Sequence, residues 1–248
     1  NVNRYGLKQE RGLTLGLPYL MVLNKQERVA LVAHEMSHFA HGDPARGLFL
    51  RHCIDSLEDW YLVLHPNEIW EAYAPFSEAV GNVLMLMVSQ IPAALIWVMV
   101  RLHWDDSQIC EYLADRSAAK VSGTEASFTL LAKSHLAPYF DIFVQRKALK
   151  KEKESLLDRL REFVSTFPER QYEKVKRQCA MEDTRLDATH PPTAWRQALL
   201  QQSTIYEPRV QLSDEENEKL NGELEKLAPA IEKTLLDDYR TSLLDDTW

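Results

Sequence analysis

His34-Glu35-Met36-Ser37-His38 sets two histidines four residues apart, with a glutamate beside the first. On an α-helix, positions i and i+4 share a face, so both imidazoles can reach one cation. Glu35 lines the same cleft, where a carboxylate can hold a metal-activated water and take its proton. The chain has 8 His in 248 residues. At that frequency the pattern is expected by chance roughly 0.02 times, so two unrelated surface histidines account for it poorly. A zinc hydrolase also needs a third protein ligand and an open fourth position. His41 is nearest, but a straight helix carries it past the ion. The longer motif that uses a third histidine needs it at position 44, where Pro44 stands. Glu111 is the better candidate. Glu111 and Asp115 are again i and i+4, so one carboxylate can bind the ion while the other accepts the ring N–H of a ligand histidine.

These side chains have to be carried by helices. Asn24 reads as an N-cap with Glu27 three residues on, the pattern of a capping box. The apolar run Val29 to Ala33 follows, and Gly42 is a natural stop after His41. The first histidine pair then sits near the end of a helix of about 17 residues. Asp105, Asp106 and Ser107 supply helix-start chemistry ahead of Glu111. Leu13-Thr14-Leu15-Gly16-Leu17, ended by Pro18, is the clearest strand candidate. Few other period-two runs appear, so the expected class is mainly α with a small β-sheet (α+β). Residues 124–164 carry helical patterning.

In chain order, His34 to His38, Gly42-Asp43, Glu111-Tyr112-Leu113-Ala114-Asp115 and Thr189-His190-Pro191-Pro192 resemble the membrane-associated gluzincin peptidases. That family includes the HtpX-type heat-shock proteases and the CAAX prenyl endopeptidases. The resemblance covers roughly residues 6–200. It implies a zincin-like core with additional helices and one zinc ion per chain on His34, His38 and Glu111. It also implies Glu35 as general base, and Asp115 as the acid that steadies the metal helix. Asp43 and Arg196 stand in support, and His190 steadies the tetrahedral intermediate. Gly16 to Leu20 resembles the segment before the family's metal helix, which implies a peptide or protein substrate lying extended as an added strand beside Leu13 to Leu17.

A long interval separates His38 from Glu111, and in this family such intervals hold hydrophobic segments. Here residues 83–100 are the candidate: 18 residues without a charge, near the lower limit for a membrane span. Arg51, Asp55, Glu58, Asp59 and Glu68 interrupt residues 47–70, so that stretch does not read as a second crossing. One simple crossing would put His38 and Glu111 on opposite faces of a membrane. With Ser89, Gln90 and Pro92 at its centre, the stretch is expected to break into two short helical pieces, packed on the core or dipping into the membrane. Residues 1–200 then form the peptidase domain with a hydrophobic helical insertion at about 82–101, and residues 201–248 an appended segment.

Composition fits a globular chain: 45% hydrophobic, 27% charged, net charge −8. A mean hydropathy of −0.34 argues against a polytopic membrane protein. The negative charge and the lack of any reader motif exclude nucleic-acid binding as the function. From Leu212 onward the chain is strongly acidic. Ser213 and Glu216 form a second capping box, and Leu220, Leu224, Leu227, Ile231 and Leu235 follow at helical spacing. An acidic amphipathic helix packing on the core is expected. Cys53, Cys110 and Cys179 form no C-x-x-C pair, which fits reduced thiols. The expected location is a membrane with the catalytic domain on its cytoplasmic side, or the cytoplasm if no anchor precedes Asn1. The functional reading is a zinc-dependent endopeptidase. The alternatives are a hydrolase with a cysteine ligand such as Cys110, and a catalytically silent or latent protein of this fold acting as a binding or regulatory module. Nothing in the sequence fixes the oligomeric state.

Overall fold

The computed structural model describes residues 12–66, 76–150, 154–168, 170, 173, 174, 177 and 190–245. Of the sequence's candidates, Glu68, Cys179 and Thr189 lie outside the described residues. Nine helices run through the described part. They are α1 (Leu17–Val22), α2 (Lys25–His41), α3 (Asp43–Leu64), α4 (Phe76–Ser122), α5 (Thr124–Ser134), α6 (Ala137–Lys150), α7 (Leu156–Thr166), α8 (Thr193–Gln202) and α9 (Asp214–Asp245).

Helix α2 begins and ends as its residues dictate. Asn24 Oδ1 accepts from the backbone N–H groups of Gln26 and Glu27, both at 2.9 Å, and Glu27 Oε2 accepts from the Asn24 N–H at 2.8 Å. That reciprocal pair satisfies donors the first turn leaves open. Glu27 is 2% exposed and its carboxylate also takes a 2.6 Å bond from Lys133 on α5, which pins the start of α2. At the other end Gly42 adopts φ 77° and ψ 18°, a left-handed conformation that side-chain-bearing residues resist. Pro44 in the first turn of α3 then restarts the chain as a new helix, where its missing N–H costs nothing.

The chain divides into two compact units, and the cuts fall inside α2 after Met36 and inside α4 after Leu113. Both helices run unbroken through those points. The first unit comprises Asn1–Met36, Ala114–Asp183 and Pro192–Trp248. Its core gathers Leu17 and Met21 of α1, Leu157 of α7 and Leu224 of α9, with Phe140, Leu220 and Ile231 against them. A second cluster joins Leu23, Ala30, Ala126 and Leu130 between α2 and α5. A third joins Ala119, Leu131 and Leu200. Helix α9 packs on α1, α6 and α7 and is tied down by Lys25–Asp214, Lys147–Glu232 and the Arg28–Asn217 hydrogen bond.

The second unit comprises Ser37–Leu113 and Thr184–Pro191. Helix α3 runs antiparallel to the apolar part of α4. Its first turns share a cleft with Met99 to Glu111, and its C-cap His65 has Nδ1 3.3 Å from Ser89 Oγ. Ser89 is fully buried and donates to the Leu86 carbonyl at 2.8 Å, so that polar pair is satisfied where apolar side chains surround it.

Three expectations are corrected here. Among the described residues there is no strand. The Leu13–Leu17 candidate is irregular up to Gly16 and helical from Leu17. Pro18 suits the first turn of a helix, and Leu17, Leu20 and Met21 recur at i, i+3 and i+4, the helical period; Leu17 and Met21 are the buried pair. The alternation of Leu13, Leu15 and Leu17 finds no neighbouring strand to pair with, and a lone strand leaves its backbone groups unpaired. Asp105 to Ser107 start no helix, because the preceding apolar residues are already helical and supply the carbonyls. Asp106 instead faces Arg46 at 3.5 Å and Asp105 faces Arg101 at 4.0 Å. Finally, residues 83–100 do not break at Ser89–Pro92. Pro92 sits inside one continuous helix, and the returning partner is α3, charged residues included. Nor is this stretch packed into a core. Val80–Ser122 is long and apolar enough to cross a membrane by length and composition, with a mean hydropathy of 2.2 over its most apolar window, of which 11% is buried.

Candidate metal centre

Helix α2 presents His34 and His38 one turn apart, and α4 presents Glu111 and Asp115 one turn apart. In the first unit, His34 Nδ1 lies 3.1 Å from Asp115 Oδ1. Asp115 is 3% exposed, and Arg196 of α8 grips it with two bonds, Nε to Oδ2 at 2.6 Å and an Nη to Oδ1 at 2.7 Å. Burial pushes the Asp115 carboxyl up, but the hydrogen bonds from Arg196 and His34 outweigh it and hold the group below the usual carboxylate range. Asp115 is therefore an anion that accepts the Nδ1–H of His34.

The second unit repeats the device. His38 Nδ1 lies 2.8 Å from Asp43 Oδ2, at the start of α3. Arg46, one turn on, holds the other oxygen of Asp43 at 2.5 Å and donates to the Cys110 sulfur at 3.0 Å. Both imidazoles are thus anchored through Nδ1 to a carboxylate, the arrangement that fixes the tautomer and presents Nε2 as a ligand atom. His38 Nε2 lies 3.6 Å from Glu111 Oε1, and His190 Nδ1 lies 3.0 Å from the same oxygen. His34 is 9% exposed and Glu111 6%.

His34, His38 and Glu111 each offer one ligand atom, and those atoms all lie within 4.8 Å of one another. Two imidazoles and one carboxylate are a donor set that suits zinc, and a three-ligand set leaves a position for water or substrate. The residues fit the group. Glu35 is half-buried on the helix between the two histidines. His41 turns away, its Nδ1 lying 2.8 Å from the Ser37 carbonyl oxygen and 3.2 Å from the Ser37 hydroxyl. Cys110 accepts a 3.0 Å bond from Arg46, and burial first, then the Asp43 and Asp106 carboxylates, push its thiol up to about 11.

Sequence reasoning missed Arg46, which braces Asp43. The i, i+3 spacing of Asp43 and Arg46 at a helix start was the available signal. It also missed the walls of a cleft of about 710 Å³ that opens beside Glu111, His38 and His190. No sequence signal marks that cleft, because its apolar residues are scattered over two helices whose pairing depends on the fold.

Residues 4–204 match peptidase family M48. The match covers most of the chain, and the protein belongs to that family, the HtpX- and CAAX-protease-type zincin metallopeptidases. No curated protein and no solved structure matches the chain.

Proposed function

We propose that this metallopeptidase is a zinc-dependent endopeptidase, with one zinc ion held by His34, His38 and Glu111. The observation that carries the reading is the pair of histidines, each tied through Nδ1 to its own buried or half-buried carboxylate, with a third anionic donor beside them. Zinc bound there supplies Lewis acidity, which acidifies a water and polarises a peptide carbonyl. Glu35 takes the attacking water's proton on its carboxylate and returns it to the departing amine. His190 donates a ring N–H to the carbonyl oxygen as negative charge grows there. Asp115 and Asp43 keep the two imidazoles oriented, and Arg196 and Arg46 keep those acids in place.

Residues 1–200 form the peptidase domain with its apolar insertion at 82–101, and 201–248 form a helical brace. The exposed apolar face of α4 lies against a membrane, with the site on the cytoplasmic side. The substrate does not lie along a strand at Leu13 to Leu17, since none is there.

Glu35→Gln tests the mechanism. The amide keeps the shape and removes the base. Matched zinc-loaded proteins should show cleavage of a casein or quenched-peptide substrate only with Glu35 present. Equal zinc content with undiminished turnover in Glu35→Gln would end the general-base assignment.

A further inference from the structure

The cleft beside the metal group carries information about what is cleaved. Its walls come from the first turns of α3 (Arg46, Gly47, Phe49, Leu50) and from four turns of α4, from Glu111 back to Met99. The thirteen residues from Met99 to Glu111 span about 18 Å of helix, room for about five residues of extended peptide. Chemistry grades along that length. Next to His38, Glu111 and His190 the walls are polar. Three turns up α4, Met99 and Leu102 face Phe49 and Leu50 across the gap. Phe49 is 69% exposed and Leu102 62% exposed. Large apolar side chains left open to solvent inside a concave site mark a place where a ligand buries them.

We propose that this cleft is the specificity pocket, and that it selects peptides with a large apolar side chain, such as Leu, Met or Phe, within a few residues of the scissile bond on one side. The proposal rests on the endopeptidase reading above for its location, and it names the substrate class. A scissile carbonyl at the metal group puts the chain running along α4 within reach of Phe49 and Leu102. Gly47 lines the cleft on the α3 side. A Cβ built on it meets nothing within 4 Å, so a side chain there grows into open space and leaves the packing of α3 undisturbed.

The test uses the full zinc-loaded chain and a mixture of quenched peptides that differ at one position, Leu, Met, Phe, Ala or Asp, scanned across the scissile bond. The wild type should prefer the large apolar peptides over Ala by about tenfold or more in kcat/KM, the scale of a hydrophobic pocket's discrimination. Gly47→Phe fills the pocket and should collapse that Leu-to-Ala ratio at least about tenfold. Anisotropy of the labelled Leu peptide on Glu35→Gln protein, with and without Gly47→Phe, reads the same pocket without turnover. Loss of binding in the double variant supports the pocket even where no peptide is cleaved, an outcome that would sink the endopeptidase reading alone. A Leu-to-Ala ratio or a binding constant that Gly47→Phe leaves within twofold overturns the pocket, and so does a wild type that cleaves the Asp and Leu peptides equally.

Discussion

Arg196 grips the acid that orients His34, and its removal should weaken the metal group. It holds Asp115 with bonds of 2.6 and 2.7 Å, and its side chain is only 11% exposed. An exposed ion pair contributes about 0–1 kcal/mol. Breaking a buried one costs about 3–5 kcal/mol, because the surviving charge stays buried and unpaired. His34 still donates to Asp115 at 3.1 Å, so the lower end, about 3 kcal/mol, is the expected cost of Arg196→Ala. In a chain of this size one kcal/mol shifts Tm by roughly 2–4 °C, so the fall should reach at least about 6 °C. Loss of a group that fixes a ligand's orienting acid typically lowers metal affinity by about 10–100-fold. Arg196→Lys keeps the charge and loses the two-pronged grip, and should fall between wild type and alanine. Thermal unfolding followed by circular dichroism reads the first effect, and competition with a zinc chelator reads the second. An Arg196→Ala protein within about 2 °C of wild type, with zinc affinity within twofold, would refute the idea that this ion pair is what keeps Asp115 anionic and His34 aimed.

Glu111→Ala should lose most of its bound zinc by elemental analysis while His41→Ala keeps it, and the reverse result would move the third ligand to His41. His190→Ala should retain zinc but lose roughly 100–1000-fold in kcat; a loss confined to KM would assign His190 to substrate binding alone. Trp97, 70% exposed on the apolar stretch of α4, should shift its fluorescence to the blue when phospholipid vesicles are added, and Trp97→Phe should abolish most of that shift. An unchanged spectrum would remove the membrane contact.

Residues whose meaning is local were legible in the sequence. The capping boxes at Asn24–Glu27 and Ser213–Glu216 form as their spacing requires, and Gly42 stops α2 in the left-handed conformation. The i, i+4 pairs 34/38 and 111/115 lie one turn apart on continuous helices, and the order of motifs was enough to identify the family. What failed depended on distant partners. Leu13 to Leu17 alternates like a strand, but a strand needs a neighbour and a helix needs only itself. Asp105 to Ser107 look like a cap, but capping has value only where backbone donors lack partners. Pro92 looks like a break, yet a proline costs one hydrogen bond in a helix held by many others. The pairing of α3 with α4 is hidden in the sequence by the charges that interrupt α3. Arg51, Asp55, Glu58 and Asp59 stay exposed, and none of the α3 residues is buried.

The uninterrupted course of α4 makes it a lever. From Ala93 to Ser122 it contains neither glycine nor proline, so Pro92 is the last residue that relaxes it before Glu111. The arm between them is about 28 Å long. A 10° tilt pivoting at Glu111 therefore sweeps the Pro92 end through about 5 Å. Read in the other direction, a displacement of that size where the apolar half is held rotates the Glu111 carboxylate relative to its own histidine, His38. The slant of the apolar half and the aim of the Glu111 carboxylate toward His38 are thus set together by one stiff helix.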